Sequence, residues 1–353
     1  MPNDLTAYIG RFQKMFSGLS CVVMEVCGTH THAIRQAGIH KLLPDGVRLL
    51  SGPGCPVCVT GSGYLEQAVA LSHQPGTIVA TFGDLLKVPG NRGTLGEARA
   101  EGGRVRVVYS PLDAVELARN HPDQEVVFLG VGFETTAPVI GLAVLEAREK
   151  QIANFSVLPA LKILKPALET LLADPDLALD GLIAPGHLAV ITGAGAMQFL
   201  PQLYHLPTVI TGFRPAEILL GLASLLAQIR DGQAELQNRY AAAVLWEGNP
   251  EAQRVLGLVF TPEDTEWRGL GIVKDSGMGF REAYRGYDAR LRFQLPPVVS
   301  QEPPGCLCGQ ILLGKALPGD CAHFGKECTP EHAVGPCMVS AEGTCAAYFY
   351  SEQ

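Results

Sequence analysis

The sequence carries little charge. Asp, Glu, Lys and Arg make up 18% of its 353 residues, against an ordinary share of about 25%. Hydrophobic residues make up 47%, so a large core can form beneath a modest solvated surface. Basic residues are outnumbered, 27 to 35, for a net charge of −8, and no Lys/Arg cluster occurs. Nucleic-acid binding wants a basic face and is excluded as an expectation. Long apolar runs are also missing. The stretches 126–145 and 181–197 are broken by Glu134, or by Pro and several Gly, where a spanning helix needs about 20 apolar residues. The opening residues lack the apolar centre of a signal peptide. A soluble, cytoplasmic chain with no membrane or nucleic-acid partner is expected. No G-x-x-x-x-G-K-[ST] phosphate loop is present.

Cysteine is absent between Cys58 and Cys306. Four lie before residue 60 (Cys21, Cys27, Cys55, Cys58) and six after residue 305 (Cys306, Cys308, Cys321, Cys328, Cys337, Cys345). In a cytosolic chain, such grouping reads as metal ligation or thiol redox chemistry rather than structural disulfides.

The cysteine-free middle alternates β-branched runs with amphipathic stretches. Strands are predicted at Cys21–Val26, Val47–Ser51, Gly76–Thr81, Arg104–Tyr109, Glu125–Gly130, Phe155–Leu158, Asp180–Ala184 and Pro207–Thr211. This alternation predicts an α/β fold with parallel sheets covered on both faces. Residues 53–63 (PGCPVCVTGSG) echo 185–195 (PGHLAVITGAG), 22–33 echo 126–137, and 77–83 echo 208–213. The echoes predict two similar parallel-sheet α/β domains, 1–120 and 121–230. A C-terminal iron–sulfur domain, 231–353, is expected to follow, with the N-terminal helix packing on it. Helical patterns and Gly-rich turns are expected after residue 230. In open α/β sheets, ligands bind beyond the carboxyl ends of the strands. The CGTHTH, CPVC, GFETT and PGH loops should therefore gather in one cleft.

Four thiols from one compact region, Cys306, Cys321, Cys328 and Cys345, suit a 4Fe–4S cluster. Zinc is the chief rival, although structural zinc sites favour close C-x₂₋₄-C pairs and the close pair here is Cys306-Leu307-Cys308; free thiols are the third reading. Cys55-Pro56-Val57-Cys58 has the spacing of a reversible disulfide at a helix start; half a metal site or a plain turn are its other readings. Cys27 ends a strand, where a soft thiolate suits iron, and His30 is a coordinating group or proton carrier. Gly28 is expected to leave room for a ligand or partner backbone. Glu134 is a site carboxylate or a helix cap, and His187 stands where the repeat has Cys55. Cys21, inside a strand, reads as core.

Together, CGTHTH (27–32), GPGCPVC (52–58), GFETT (132–136), PGH (185–187) and the C-terminal CxCGxIL…DC…FGxxCTP…GPCMVSxEGxCAAYF resemble the HypD family of hydrogenase maturation factors. The resemblance spans Cys27 to Phe349. It implies two related α/β domains, a 4Fe–4S domain, and a part in building the Fe(CN)₂CO group of nickel–iron hydrogenases. It also implies a transient mononuclear iron, carrying cyanide and carbon monoxide, between Cys27 and a HypC-like partner's N-terminal cysteine. A HypE-like partner would deliver the cyanide. The family's C-x₁₄-C-x₆-C-x₁₆-C pattern falls on Cys306, Cys321, Cys328 and Cys345. That set, with Cys55 and Cys58, is similar to the thiol-reducing arrangement of ferredoxin:thioredoxin reductase. GFRP (212–215) departs from the family's GFEP, and Arg214 is given no role. A stand-alone cluster-dependent thiol–disulfide reductase and a zinc-stabilised binding module are the other readings.

Overall fold

The computed structural model describes residues 2–352. All eight expected strands form: β1 (Cys21–Glu25), β2 (Val47–Ser51), β3 (Thr77–Thr81), β4 (Val105–Val107), β5 (Glu125–Gly132), β6 (Phe155–Leu161), β7 (Gly181–Pro185) and β8 (Thr208–Thr211). Short apolar runs such as VVFLGV in β5 are covered on both faces, as parallel strands between helix layers require. One parallel sheet has the order β2-β1-β7-β8-β9, where β9 is Leu236–Asn238; the other is β4-β3-β5-β6. The fold is α/β, as expected.

The halves are interleaved. Strands β1 and β2 lie in the first sheet and β3 and β4 in the second; β5 and β6 return to the second and β7 and β8 to the first. Exchanging β1–β4 with β5–β8 turns the order β2-β1-β7-β8 into β6-β5-β3-β4, which is the second sheet read backwards. The chain thus has the topology of a duplication whose halves meet near residue 120, but neither half owns a sheet. The boundaries 1–120 and 121–230 therefore do not separate two sheets. The 22–33 and 126–137 echo matches β1 to β5, as the exchange demands. The other two echoes match β2 to β7 and β3 to β8, which it does not. They reflect the shared chemistry of Gly-rich loops at strand ends.

Two more expectations are corrected, one beyond residue 230 and one at the N-terminal helix. Strands β10 (Phe260–Trp267) and β11 (Gly271–Phe280) form a long antiparallel hairpin where helices and turns were expected. Its polar face is solvated and its Gly277 and Gly279 pack beneath Thr265 and Glu263, so little of it shows as a β-branched run. The N-terminal helix, Pro2–Met15, packs on the first sheet: Phe12 and Phe16 share a core with Val23, Val47, Ile183 and Val209. Among the described residues no helix is long and apolar enough to cross a membrane.

Candidate functional site

Because every strand of both sheets runs parallel, the carboxyl ends of each sheet lie along one edge. These edges face a cleft of about 240 Å³. Val26, Cys27 and Thr29 reach it from β1, Gly54 and Pro56 from the loop after β2, and Phe133, Thr135 and Thr136 from the loop after β5. Leu164 enters after β6, and Pro185, His187 and Leu188 after β7. The remaining wall is Glu342, from the cysteine-rich C-terminal segment.

Cys27 is the N-cap residue of the helix Gly28–Gln36 and is buried. Its backbone N–H donates to the buried Glu25 carboxylate at 3.0 Å, and the Thr31 hydroxyl donates to the same group. Burial pushes the Cys27 thiol up to about 12, although the backbone N–H of His30 pulls it down. A proton must therefore leave when this sulfur takes a metal ion. Burial also holds the Glu25 carboxyl at about 7.

The space over Gly28 is filled by this chain itself, not left for a partner. A Cβ on Gly28 would stand 2.6 Å from the Glu342 Cβ and carbonyl oxygen. The Thr29 hydroxyl donates to Glu342 Oε1 at 2.6 Å. Nearly two turns on, the Arg35 guanidinium lies over the Tyr348 ring, 3.2 Å from its centroid. The last helix, Thr344–Ser351, is thus docked on the helix that carries Cys27. Glu342 escaped the sequence reading; the signal was its place in SAEGTC, three residues before Cys345.

His30 does not line the cleft. One helical position beyond Thr29, it turns inward, and its Nε2 lies 3.0 Å from the Gly212 carbonyl oxygen. Burial lowers it to about 4, so it is neutral, and its Nδ1 has no hydrogen-bond partner among the described residues. Phe213 is stacked between His30 and His187, at 4.5 Å and 3.8 Å between ring centroids. His187 stands at the exposed rim of the cleft. Glu134 is buried behind it. One carboxylate oxygen accepts the Leu164 N–H at 3.0 Å, the other has no partner among the described residues, and burial raises the group to about 7. It does not cap its own helix, whose N-cap position is Thr136.

Cys55 and Cys58 are joined as a disulfide, both buried, with Cα atoms 5.2 Å apart. They lie behind Gly54 and Pro56. A Cβ on Gly54 would stand 2.2 Å from the Cys27 backbone nitrogen, so the thiol pair and Cys27 are tied through one close backbone approach. On its other side the Cys58 sulfur lies 4.0 Å from the Pro336 carbonyl oxygen.

The six C-terminal cysteines gather behind this loop, five buried and Cys306 half-buried. Cys308, Cys328, Cys337 and Cys345 share a single core with Cys55 and Cys58. Burial pushes the Cys306 thiol up to about 12, and Cys308, Cys321 and Cys328 all lie near enough to add to it. The Val334 N–H donates to the Cys328 sulfur at 3.3 Å. The Cys337 thiol donates to the Cys345 sulfur at 3.0 Å, and a hydrogen bond links the free thiols of Cys308 and Cys337. Among the described residues no three donors converge as metal ligands do. The set of clustered soft thiols in an apolar surround, with a backbone N–H on one sulfur, nevertheless has the chemistry an iron–sulfur cluster takes.

A family model described as "Hydrogenase formation hypA family", HypD, matches residues 4–352. The chain is 43% identical over 334 residues to "Hydrogenase maturation factor HypD" of Azotobacter vinelandii, covering 93% of this chain and 88% of the relative. It is 44% identical over 334 residues to "Hydrogenase expression/formation protein HupD" of Azotobacter chroococcum mcd 1, with the same coverage. It is 40% identical over 332 residues to "Hydrogenase maturation factor HypD" of Escherichia coli (strain K12), covering 94% and 89%. With this match over nearly its whole length, and the cysteine loops meeting at one cleft, the chain belongs to the HypD family.

Proposed function

We propose that this chain is the scaffold and redox component on which the Fe(CN)₂CO moiety of a nickel–iron hydrogenase is assembled. The observation that supports this best is the meeting of the Cys27 loop, the CPVC loop and the C-terminal cysteine segment around one cleft. The iron is cargo. Cys27 takes it at the cleft wall, where a thiolate gives a soft, electron-rich donor suited to cyanide and carbon monoxide. One protein thiolate holds iron weakly, so a HypC-like small chaperone supplies a second sulfur. A HypE-like partner brings cyanide to the open rim, where His187 stands.

A 4Fe–4S cluster held by Cys306, Cys321, Cys328 and Cys345 would supply single electrons. The Cys55–Cys58 disulfide accepts two electrons and two protons and becomes a dithiol. Cys308 and Cys337 lie beside it, in the same core. Glu342 orients Thr29 beside Cys27, and His30, through Phe213, holds the His187 ring at the rim. The buried Glu134 carboxyl holds a proton close to the cleft wall. An infrared spectrum of the complex copurified anaerobically with its small partner tests the reading. Bands of metal-bound cyanide and carbon monoxide support assembly. A complex without them whose disulfide still cycles points to a stand-alone thiol–disulfide reductase.

A further inference from the structure

The turn of the β10–β11 hairpin is wedged between the CPVC loop and the cysteine-rich segment. Trp267 is fully buried, its indole N–H donating to Ser276 at 2.9 Å. Gly269, at φ +86°, runs so close to Gly309 that a Cβ there would stand 2.6 Å from the Gly309 carbonyl oxygen. Between them lies Arg268, whose side chain is 1% exposed. Its backbone N–H donates to the Val59 carbonyl at 2.9 Å. Its guanidinium donates from Nε to the Cys58 carbonyl at 3.0 Å and from Nη2 to the Thr60 carbonyl at 3.1 Å. Nη1 donates to the Glu302 carboxylate at 2.5 Å. Its charge also acts on Cys308 and Cys337.

A buried guanidinium is costly to desolvate, and the cost is offset only where its donors are met. Here they are met largely by the carbonyls of the thiol loop, and its carboxylate partner is 46% exposed. Much of the positive charge therefore remains felt in an interior of low effective dielectric. Breaking a disulfide with electrons puts negative charge on sulfur, and a fixed cation nearby favours that state.

We propose that Arg268 is a positioning residue for the Cys55–Cys58 pair: it ties the CPVC loop to Glu302, just ahead of the cysteine-rich segment, and its buried charge makes the disulfide easier to reduce. The inference rests on the thiol-pair reading above. The full chain, purified anaerobically, is equilibrated with graded ratios of reduced to oxidised dithiothreitol. Dithiothreitol gives up two electrons and two protons as it closes to its cyclic disulfide; the Cys55–Cys58 bond breaks to one thiol and one thiolate facing the Arg268 charge, and the second proton passes to the buffer. Alkylation and mass spectrometry of the peptide read the ratio. Arg268→Gln should shift the equilibrium about tenfold towards the disulfide, about 30 mV for a two-electron couple. Arg268→Lys keeps the charge but not the fork, and should fall between. Glu302→Gln leaves the guanidinium in place while removing its counter-charge, so it should shift the equilibrium several-fold towards the dithiol. A purely structural clamp would not move the two neutral variants in opposite directions. Unshifted folded variants, or shifts of the same sign, overturn the inference. Should Arg268→Gln not fold, Glu302→Gln decides alone: no shift, or a shift towards the disulfide, overturns it. A wild-type disulfide that resists every ratio defeats the thiol-pair reading and the inference with it; wild-type cycling with unshifted variants defeats the inference only.

Discussion

Two buried carboxyls, Glu25 and Glu134, are held at about 7 by burial. In each the folded value lies above the ordinary 4.5, so the native state keeps a proton that the unfolded chain releases. The resulting stability is fully present below about pH 4.5 and is lost as pH rises through about 7. Glu134→Gln keeps the shape and the hydrogen bond from Leu164 but removes the titration. Its unfolding free energy should fall less than the wild type's between pH 5 and 8, by on the order of 2 kcal/mol. Parallel curves for the two proteins would show that Glu134 does not titrate in this range. Single residues were also the hardest features to read from sequence. Cys27, Cys55 and Cys58 announce themselves by motif. Arg268 is a lone charged residue in ordinary surroundings, and Glu342 sits in the C-terminal motif beside more conspicuous cysteines; the importance of both comes from contacts with segments hundreds of positions away. His30 shares a motif with Cys27 yet turns away from the cleft, because one step along a helix rotates a side chain by about 100°.

At the scale of elements, the close approach of the GPGC loop to β1 keeps the thiol pair beside Cys27. Gly54→Ala places a methyl group within 2.5 Å of Cys27 backbone atoms, a clash that a rotamer change cannot relieve. The variant should lose about 1–3 kcal/mol of stability in denaturant titrations and load less iron. A Gly54→Ala protein as stable as wild type would mean that this approach is looser than described. The strands themselves were legible, because parallel strands buried on both faces leave β-branched runs that stand out from their helices. The β10–β11 hairpin was not, since one of its faces is polar and its glycines resemble turns. The partners of each strand were not legible either. Sequence order places β2 before β3, but only packing decides that β1 pairs with β7 and β3 with β5.

At the scale of the molecule, the interleaved sheets bring the two halves' loops to one cleft, and the C-terminal segment closes it. If Cys306, Cys321, Cys328 and Cys345 hold a cluster, folding of that segment and metal binding are linked. Cys321→Ala should then lower iron and acid-labile sulfide together and make residues 306–345 more open to proteolysis. Full iron and sulfide in that variant would reassign the ligand to Cys308 or Cys337. The central claim is that Cys27 anchors the iron on which cyanide and carbon monoxide are mounted. Serine at this position keeps the size but offers a harder and far less acidic donor. The most direct measurement is the infrared spectrum of the anaerobically copurified complex made with Cys27→Ser. The expected result is a folded protein with wild-type iron–sulfur content and no cyanide or carbon monoxide bands. Bands at wild-type intensity would contradict iron anchoring at Cys27 and move the site to Cys55 or Cys58.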